Sequence, residues 1–496
     1  MAEQIRATPR LSKSRFQNGC QCALRLCYDV NEPDLAEEFT EEQQARFDTG
    51  HEVGELAQRR YPGGKLITAD YQHPKQALEQ TTDALSEAFL PAIYEAAFEF
   101  RNVFARADIL VRAEKDTWDL IEVKSSANSK DHFRRDVAVQ YWIARNSGLK
   151  IRKAGLLLLN RDYVYDGKKL DLDDLFAFHD LTNECASRLD EIGEKVGELQ
   201  KMLAAEEAPQ IKPGEQCVEP YDCPYYGHCT KGMEFSEQPL DTLYKLHPVR
   251  RAELESVGIK EIREIPEDFA LNEIQARQRR CVIEGRPWGS ERLPELLRRV
   301  RYPAHHLDFE TVLPAIPLHK GTRPFDQVPF QFSCHHQESD GGQILHSEFL
   351  AQDRSDPREP LAEALLTAVG KRGAIFTYTY FEARIINDLA AAIPSLARDL
   401  KALLDRLVDL AAIIRNHYYH PGFKGSFSIK TVLPVLIPQM TYEGMEVSDG
   451  MMAGAAWMQM LETEDATERA RMDAALRAYC RQDTLAIVRL REVLGQ

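Results

Sequence analysis

Two carboxylates in the C-terminal third of the chain, Asp308 and Glu310, are two residues apart. Their apolar neighbours predict a β-strand around His305–Phe309, in which successive side chains point to opposite faces of the sheet. Both carboxylates would then project from one face, while Leu307 and Phe309 enter the core on the other. Mg²⁺ and Mn²⁺ prefer oxygen ligands, so the pair predicts part of a divalent-metal site.

A phenol and a carboxylate near the C-terminus, Tyr479 and Asp483, are four residues apart. The pattern of the surrounding residues predicts a helix over Ala466–Leu494, and this spacing places both side chains on one helix face. A pair of divalent ions needs several carboxylate oxygens. Two acids from a strand, one from a middle element and one from the last helix would supply them.

These residues resemble the DEDD superfamily of 3'-5' exonucleases, in which D-x-E lies on the first strand and the last acid follows a Tyr or His on the final helix. The spacing of Tyr479 and its acid is that of the DEDDy branch. The resemblance implies a ribonuclease-H-like (DnaQ-like) fold with Glu382 as the middle acid, where the family usually has Asp. Asp388 is the alternative, Asp409 is a supporting acid, and Gly425–Leu433 is similar to the S-x-K-x-x-L segment of such enzymes. It also implies that metal-bound water attacks the terminal phosphodiester and that the tyrosine orients this water.

A second group of charged residues lies in the first half of the chain. Two β-rich runs, Phe104–Val111 and Trp118–Val123, are separated by a short polar segment, which predicts a hairpin. Asp108 lies on the first run, while Glu122 and Lys124 share one face of the second. The two carboxylates can bind one divalent ion, and the ammonium can position water or offset charge on a phosphate.

This D...E-x-K pattern resembles that of the PD-(D/E)XK nucleases, which implies a restriction-endonuclease-like core. Gln140 matches the glutamine of the RecB-like members, although Ala144 stands where they usually have Tyr. RecB-like nucleases also carry G-x-x-x-H on an early helix, with the His as a metal ligand. Here Gly50–Gly54 ends in glycine, so either His51 or Glu55 substitutes from the adjacent turn, or the site binds its metal with fewer ligands.

Four of the ten cysteines suit a metal cluster, because clustered thiols in a reducing compartment bind metal more often than they form disulfides. Their number and order, one before the nuclease core and three after it, resemble the clasp of iron-sulfur RecB-like nucleases. The resemblance implies a [4Fe–4S] cluster, for which zinc is the alternative. Cys20 and Cys27 are alternatives for the upstream ligand. The predicted ligands are Cys22, Cys217, Cys223 and Cys229.

Four isolated cysteines are expected to be small core residues, namely Cys185, Cys281, Cys334 and Cys480.

Composition limits the class of protein. Of 496 residues, 44% are hydrophobic and 28% charged, which excludes general disorder. No apolar run approaches the length of a membrane span, and the polar N-terminus is unlike a signal peptide, so a cytoplasmic protein without a membrane partner is expected. A net charge of -16 argues against non-specific coating of nucleic acid. The basic runs Arg277–Arg280 and Arg298–Arg301 could line a local channel or be ordinary solvated helix faces.

The chain is expected to be an α/β protein of three parts. Residues 1–235 would form the RecB-like nuclease domain with its cysteine clasp, and residues 298–496 the exonuclease domain. Between them, residues 236–297 would form a helical connector, with Val257–Ile259 as the centre of a helix-hairpin-helix element or as part of a plain linker. This architecture resembles a bacterial family with the same fusion over nearly the full length.

The expected function is that of a metal-dependent nuclease acting on nucleic acid, with single-stranded or free-ended DNA favoured over RNA. Three hypotheses remain open: two active sites, one active C-terminal site beside a nucleic-acid-binding N-terminal half, or a non-catalytic scaffold in a defence or repair complex. The sequence identifies no protein partner.

Overall fold

The computed structural model describes residues 9–114 and 116–496. Its contacts divide the chain into two compact units: Met1–Met233 with Pro314–Asp326, and Glu234–Leu313 with Gln327–Gln496. Each unit combines β-sheet with α-helices, which confirms the predicted α/β class. The segment predicted as a connector, 236–297, lies within the second unit.

The first unit contains seven strands and nine α-helices among the described residues. The strands are β1 (Leu11–Ser12), β2 (Lys65–Leu66), β3 (Ala92–Phe100), β4 (Val103–Glu114), β5 (Thr117–Lys124), β6 (Ile151–Leu159) and β7 (Phe176–Asp180). The helices are α1 (Lys13–Gln21), α2 (Ala23–Asn31), α3 (Glu41–Arg59), α4 (Pro74–Ser86), α5 (Asp131–Asn146), α6 (Leu172–Leu175), α7 (Thr182–Ser187), α8 (Leu189–Ala204) and α9 (Tyr226–Thr230).

These strands form one mixed sheet in the order β2-β3-β4-β5-β6-β7, with β1 paired to the start of β4. The predicted hairpin is confirmed, because β4 and β5 are antiparallel with Ile109 opposite Ile121. Strand β6 runs parallel to β5 after the crossover helix α5. Since side chains alternate along a strand, Asp108, Glu122 and Lys124 share one face of the hairpin.

Helices cover both faces of this sheet. On one side, Leu110 and Leu120 pack with residues of α1, α5 and α8, and an apolar stripe along α8 is buried there. On the other side, Ile109 and Ile121 pack with residues of α3 and with Ala315 from the returning segment Pro314–Asp326. The charged residues of the hairpin therefore lie on the face that α1 and α5 cover.

The second unit contains seven strands and ten α-helices within the part of the chain that the structure describes. The strands are β8 (Trp288–Gly289), β9 (Ala304–Val312), β10 (Val328–Gln337), β11 (Leu345–Leu350), β12 (Ala374–Thr377), β13 (Leu407–Asp409) and β14 (Tyr418–Tyr419). The helices are α10 (Pro248–Ser256), α11 (Glu273–Glu284), α12 (Leu293–Arg298), α13 (Arg358–Val369), α14 (Phe381–Ala392), α15 (Ala397–Leu404), α16 (Leu410–His417), α17 (Ile429–Leu436), α18 (Gly450–Glu462) and α19 (Ala466–Leu494).

Its main sheet has the order β11-β10-β9-β12-β13. The first three strands are antiparallel, while β12 and β13 continue the sheet in parallel. The middle strand β9 buries Leu307 and Phe309 against α13, α14 and α15, as the alternation predicts. Its other face meets a larger core that includes α18 and α19.

A glycine allows the close approach of β12 to β9. Gly373 has φ +88°, and a Cβ at this position would collide with the carbonyl of Pro303. Only glycine tolerates both conditions, so the start of β12 is fixed beside the strand that carries Asp308.

The helices at the start of the second unit differ from a helix-hairpin-helix element. The turn at Val257–Ile259 is followed by one 3-10 turn over Ile262–Glu264, and the next α-helix begins only at Glu273. Among the described residues, no helix is both long and apolar enough to cross a membrane.

Candidate metal centres

The second unit brings together acids that are far apart in its sequence. Asp308 and Glu310 project from β9, the middle strand, while Glu382 lies in the first turn of α14 and Asp483 on α19. Asp308 and Glu382 hydrogen-bond to each other, which requires one of the two carboxyls to be protonated. Glu310, Glu382 and Asp483 are 5%, 2% and 6% exposed. The structure therefore assembles all four predicted acids of this site.

The electrostatics of this acid cluster favour binding of cations. Burial and the nearby Asp483 and Glu310 hold the pKa of Asp308 well above its ordinary value, and burial and Asp483 do the same to the pKa of Glu310. Burial also raises the pKa of Glu382 to about 8 and the pKa of Asp483 to about 6. Such shifts arise where like charges share a site without enough positive charge to balance them.

Lys430 lies near the acid cluster and partly offsets its charge. This residue is in the first turn of α17, within the segment predicted to resemble S-x-K-x-x-L. Its ammonium lowers the pKa values of Glu310 and Asp483, although burial outweighs it in both. One buried oxygen, Oε2 of Glu382, has no hydrogen-bond partner. A buried acceptor without a partner suits a ligand such as a metal ion.

Two tyrosines contact the acid on α19. Tyr479 lies one helical turn before Asp483, and it hydrogen-bonds to that carboxylate, as the spacing predicts. Tyr442, which the sequence analysis did not identify, donates its hydroxyl to Oδ1 of Asp483. The two rings are 6.0 Å apart. Tyr442 lies in a loop and has no spacing relation to the other site residues, so only the fold reveals its role.

A cysteine also lies against the acid cluster. Cys480 is buried, as predicted, but its Sγ is 3.8 Å from Oδ2 of Asp308. Within the described residues, Asp308, Glu310 and Cys480 form a group whose ligand atoms all lie within 4.8 Å of one another. The second unit therefore has a possible metal-binding group that includes a thiol.

The two other acids predicted near this site have different positions. Asp409 caps α16 by accepting a hydrogen bond of 2.7 Å from the backbone N–H of Ala412, and its charge raises the pKa of Glu382. Asp388 lies on the exposed side of α14, whereas Glu382 is buried in the cluster. The structure thus brings Glu382 to the site and gives Asp409 a supporting position.

The raised pKa values predict how stability changes with pH when metal is absent. A carboxyl whose pKa is higher in the folded protein than in the unfolded protein contributes to stability in its protonated form. This contribution is fully present at a pH below the unfolded-state pKa, and it is lost as pH rises through the folded-state pKa. For Asp483 and Glu382 the losses fall near pH 6 and pH 8. In EDTA, the melting temperature measured by calorimetry should therefore decrease from pH 5 to pH 9. Glu382→Gln should flatten the upper part of this decrease, and an unchanged profile in that variant would contradict the assignment.

The first unit assembles the predicted D...E-x-K residues. Oδ2 of Asp108 accepts a hydrogen bond of 2.7 Å from the backbone N–H of Val123, which fixes β4 against β5. Gln140 on α5 donates to Oε2 of Glu122 at 2.6 Å, and Nζ of Lys124 is 2.7 Å from Oε1 of the same carboxylate. Oε1 of Gln140 is buried without a hydrogen-bond partner.

Three further residues extend this site, and the sequence analysis did not identify them. Lys13 on α1 places its Nζ 2.8 Å from Oε1 of Glu122. Asp136 on α5 binds Nζ of Lys124 at 2.8 Å and accepts a hydrogen bond of 2.9 Å from the amide of Gln17. Because α1 and the hairpin are about a hundred residues apart in sequence, no local spacing relates them.

A third carboxylate faces Asp108 from the neighbouring strand. Glu95 lies within β3 with φ +58°, a backbone conformation that is unusual for a non-glycine residue in a strand. Burial raises the pKa of Glu95, and its neighbours include Arg106, Lys13, Glu122 and His51. His51, one of the two proposed substitutes for the missing motif histidine, contributes to the electrostatics of Glu95 but is itself exposed. Glu55 is exposed, and Ala144 packs in the core.

The two hairpin carboxylates differ in charge state. Burial and the charge of Glu122 raise the pKa of Asp108 to about 8. Burial also works against ionisation of Glu122, but Lys124 and Lys13 outweigh it and lower its pKa. In the first unit, Lys124 and Lys13 thus favour the ionised form of Glu122, whereas burial favours the protonated form of Asp108.

The four predicted cluster cysteines line one cavity of the first unit. Cys22 lies at the junction of α1 and α2, and Cys217, Cys223 and Cys229 come from the segment after α8. Burial, with a contribution from Cys217 and Cys22, raises the pKa values of the Cys223 and Cys229 thiols. Cys20 and Cys27 do not line this cavity. The structure therefore groups the predicted set of thiols and leaves out both alternatives.

The basic runs are engaged in local packing. Arg277 donates to the carbonyl of Arg415 at 2.8 Å and lies 4.1 Å from the centre of the Trp288 ring, while Arg279 donates to the carbonyl of Ile265. In the second run, Arg298 and Arg299 contact residues of their own helix. These contacts favour the interpretation of both runs as parts of helix faces.

The chain is similar to a family model and to a solved structure. Residues 305–428 match a family model described as "Domain of unknown function (DUF2779)", a range that includes Asp308, Glu310 and Glu382. No curated protein matches the chain. Among solved structures, the chain is similar to that titled "Crystal structure of SSO0001", with 13% identity and a TM-score of 0.18 over 40% of this chain and 78% of that chain.

Proposed function

We propose that this chain is a metal-dependent nuclease whose second unit carries a 3'-5' exonuclease site of the DEDDy type on a ribonuclease-H-like fold. The observation that carries the proposal is the buried group of four carboxylates on β9, α14 and α19, whose negative charge Lys430 offsets only in part. Such a group is costly in a folded protein unless it binds cations. The sheet, in which β9 is the middle strand and the parallel strands follow the antiparallel ones, is consistent with this fold.

The chain's own residues have distinct roles in this proposal. Asp308, Glu310, Glu382 and Asp483 hold Mg²⁺ or Mn²⁺. Tyr442 holds the Asp483 carboxylate in orientation through its hydroxyl. Tyr479, on the same helix face, orients the water that attacks the terminal phosphodiester. The bound ions would supply the activation of that water and the stabilisation of the leaving oxygen.

The first unit is proposed to be a second nuclease site of the PD-(D/E)XK type. Asp108 and Glu122 would bind a divalent ion, with Lys124 and Gln140 fixing Glu122. One alternative is that this half only binds nucleic acid. The specific observation that favours it is that Glu122 already has two ammonium partners and an amide partner. A non-catalytic scaffold is the remaining alternative, which the acid cluster of the second unit disfavours.

The thiol cavity is proposed to hold a [4Fe–4S] cluster. Four cysteines line this cavity, and iron-sulfur clusters take four thiolates. One zinc ion bound by the same four thiolates is the alternative.

One experiment tests the function and distinguishes its alternatives. End-labelled single-stranded DNA and RNA are incubated with the purified protein and Mn²⁺, and Asp308→Ala is compared with Glu122→Ala. The proposal expects both variants to lose part of the cleavage, with the DNA cut faster than the RNA. If only Asp308→Ala loses activity, the first unit is a binding module. If neither change affects cleavage, both sites are assigned incorrectly.

A further inference from the structure

Lys13 lies on an anchored segment of backbone at the edge of the charged site in the first unit. It begins α1, where the Ser12 side chain caps the helix by accepting from the backbone N–H of Arg15 at 3.1 Å. The residues on either side are anchored, since Leu11 pairs with Val103 of β4 and Phe16 is fully buried. The backbone that carries Lys13 is thus anchored by the fold, and its four-carbon side chain extends from a defined point beside Glu122.

The two lysines of this site have unequal partners. Both place Nζ on the same oxygen, Oε1 of Glu122, at 2.8 Å for Lys13 and 2.7 Å for Lys124. Lys124 also binds Asp136 at 2.8 Å, whereas Glu122 is the one hydrogen-bonded partner of Lys13 among the described residues. Lys124 is therefore held between two carboxylates, and Lys13 is the lysine that can change its partner.

The net charge around Glu122 would be balanced by one divalent ion together with one phosphodiester group. Four carboxylates and three cations surround this point, which gives a formal charge of -1 when every group is ionised. The carboxylates are Glu95, Asp108, Glu122 and Asp136, and the cations are Lys13, Lys124 and Arg106. One divalent ion changes the sum to +1, and a single phosphodiester group then neutralises it. The buried and unpartnered Oε1 of Gln140 also indicates space for a ligand beside Glu122.

We propose that Lys13 is a second phosphate-binding lysine of the first unit: once a divalent ion neutralises Glu122, the Lys13 ammonium moves from that carboxylate to a non-bridging oxygen of the bound phosphodiester. This inference rests on the proposed nuclease function and assigns a substrate contact to the lysine that, unlike Lys124, has no second carboxylate partner among the described residues. No bond is made or broken in this step, because the ammonium only exchanges one oxygen partner for another.

The exchange of partners can be followed directly by acetylation of lysines, read by mass spectrometry. The protein carries Asp308→Ala so that the second unit does not degrade the probe, and Ca²⁺ is the divalent ion. Ca²⁺ alone should increase acetylation of Lys13, because Glu122 releases it, and added oligothymidylate should protect it again. Lys65, which pairs with the exposed Glu87 outside the site, is the control and should not change under either condition.

Kinetics in the same Asp308→Ala protein provide the second measurement. Lys13→Met should lower kcat/KM for single-stranded DNA by about a hundredfold, and Lys13→Arg should restore part of it. The slope of log(kcat/KM) against log salt should become less steep by about 0.7, as expected when one phosphate contact on a single strand is lost. Lys65→Met should leave both quantities unchanged.

The outcomes separate this inference from the proposed function. If Glu122→Ala abolishes the cleavage that remains in the Asp308→Ala protein, but Lys13 acetylation ignores both Ca²⁺ and oligothymidylate, the role of Lys13 is wrong and the nuclease site stands. If the Asp308→Ala protein does not cleave, yet Lys13 is exposed by Ca²⁺ and protected by the oligonucleotide, the lysine contact stands and the first unit binds without cutting. If neither response occurs, both are wrong.

Discussion

Replacing Asp308 with Asn is expected to slow Mn²⁺-dependent shortening of end-labelled DNA by about a thousandfold, measured in a Glu122→Ala background. That factor corresponds to about 4 kcal/mol of activation free energy, which is the scale of a metal ion's contribution to a transition state. Asp308 hydrogen-bonds to Glu382. One of its carboxylate oxygens also lies within 4.8 Å of a carboxylate oxygen of Glu310. Its loss should therefore disable the site as a whole.

The same substitution should stabilise the protein when metal is absent. Asp308 is crowded by like charges, so removing its charge relieves repulsion and desolvation. In EDTA at pH 8, Asp308→Asn should melt at a higher temperature than the unsubstituted protein, and the addition of Mn²⁺ should stabilise it less. Lower activity combined with a lower melting temperature would instead indicate general damage to the fold.

A matched pair of substitutions on α14 tests which acid completes the cluster. Glu382→Gln should reduce cleavage strongly, whereas Asp388→Asn, which makes a similar charge change on the exposed side of the same helix, should leave it near normal. The reverse result would transfer the ligand role to Asp388.

Replacing Cys217 with Ser is expected to remove the metal cluster of the first unit. The purified protein should lose its iron and its visible charge-transfer absorption, which dithionite bleaches in an iron-sulfur protein but not in a zinc protein, since zinc has no redox chemistry. The apolar cluster around this site is small, consisting of Cys217, Cys223 and Tyr225 with a few neighbours, so it offers little hydrophobic stabilisation. The segment after α8 should then become sensitive to proteases.

The control for this experiment is Cys27→Ser. Cys27 lies on α2, close to Cys22 in sequence, but outside the thiol cavity. This variant should retain iron, absorption and protease resistance. Full retention of iron in Cys217→Ser would refute the four-thiolate assignment, and zinc in place of iron in the unsubstituted protein would overturn the identity of the group.

The sequence predicted the elements that follow from local patterns. The hairpin of β4 and β5, the strand β9 and the last helix Ala466–Leu494 all agree with the structure, because periods of 2.0 and 3.6 residues are visible in the sequence itself. The acids on β9 and α19 were identified for the same reason.

The site residues that local sequence patterns did not identify reach their partners through long-range contacts. Lys13 meets Glu122, Tyr442 meets Asp483, and Cys480 meets Asp308 only because distant elements pack together. Glu95 could have been noticed as an acid in a β-rich run, but its unusual backbone conformation is not encoded by residue type. Each of these residues lies beside residues that local patterns identified as candidates, so those patterns indicated the candidate residues but not their surroundings.

The segment Pro314–Asp326 determines the order in which the protein can be completed during synthesis. It leaves the second unit after β9, packs in the first unit with backbone hydrogen bonds between Tyr165 and both Gly321 and Thr322, and returns to begin β10. The first unit therefore lacks part of its apolar core, including Ala315, until more than half of the chain has left the ribosome. A gene fragment that ends at residue 235 would encode an unfinished domain, so the two units cannot be separated by one cut in the gene.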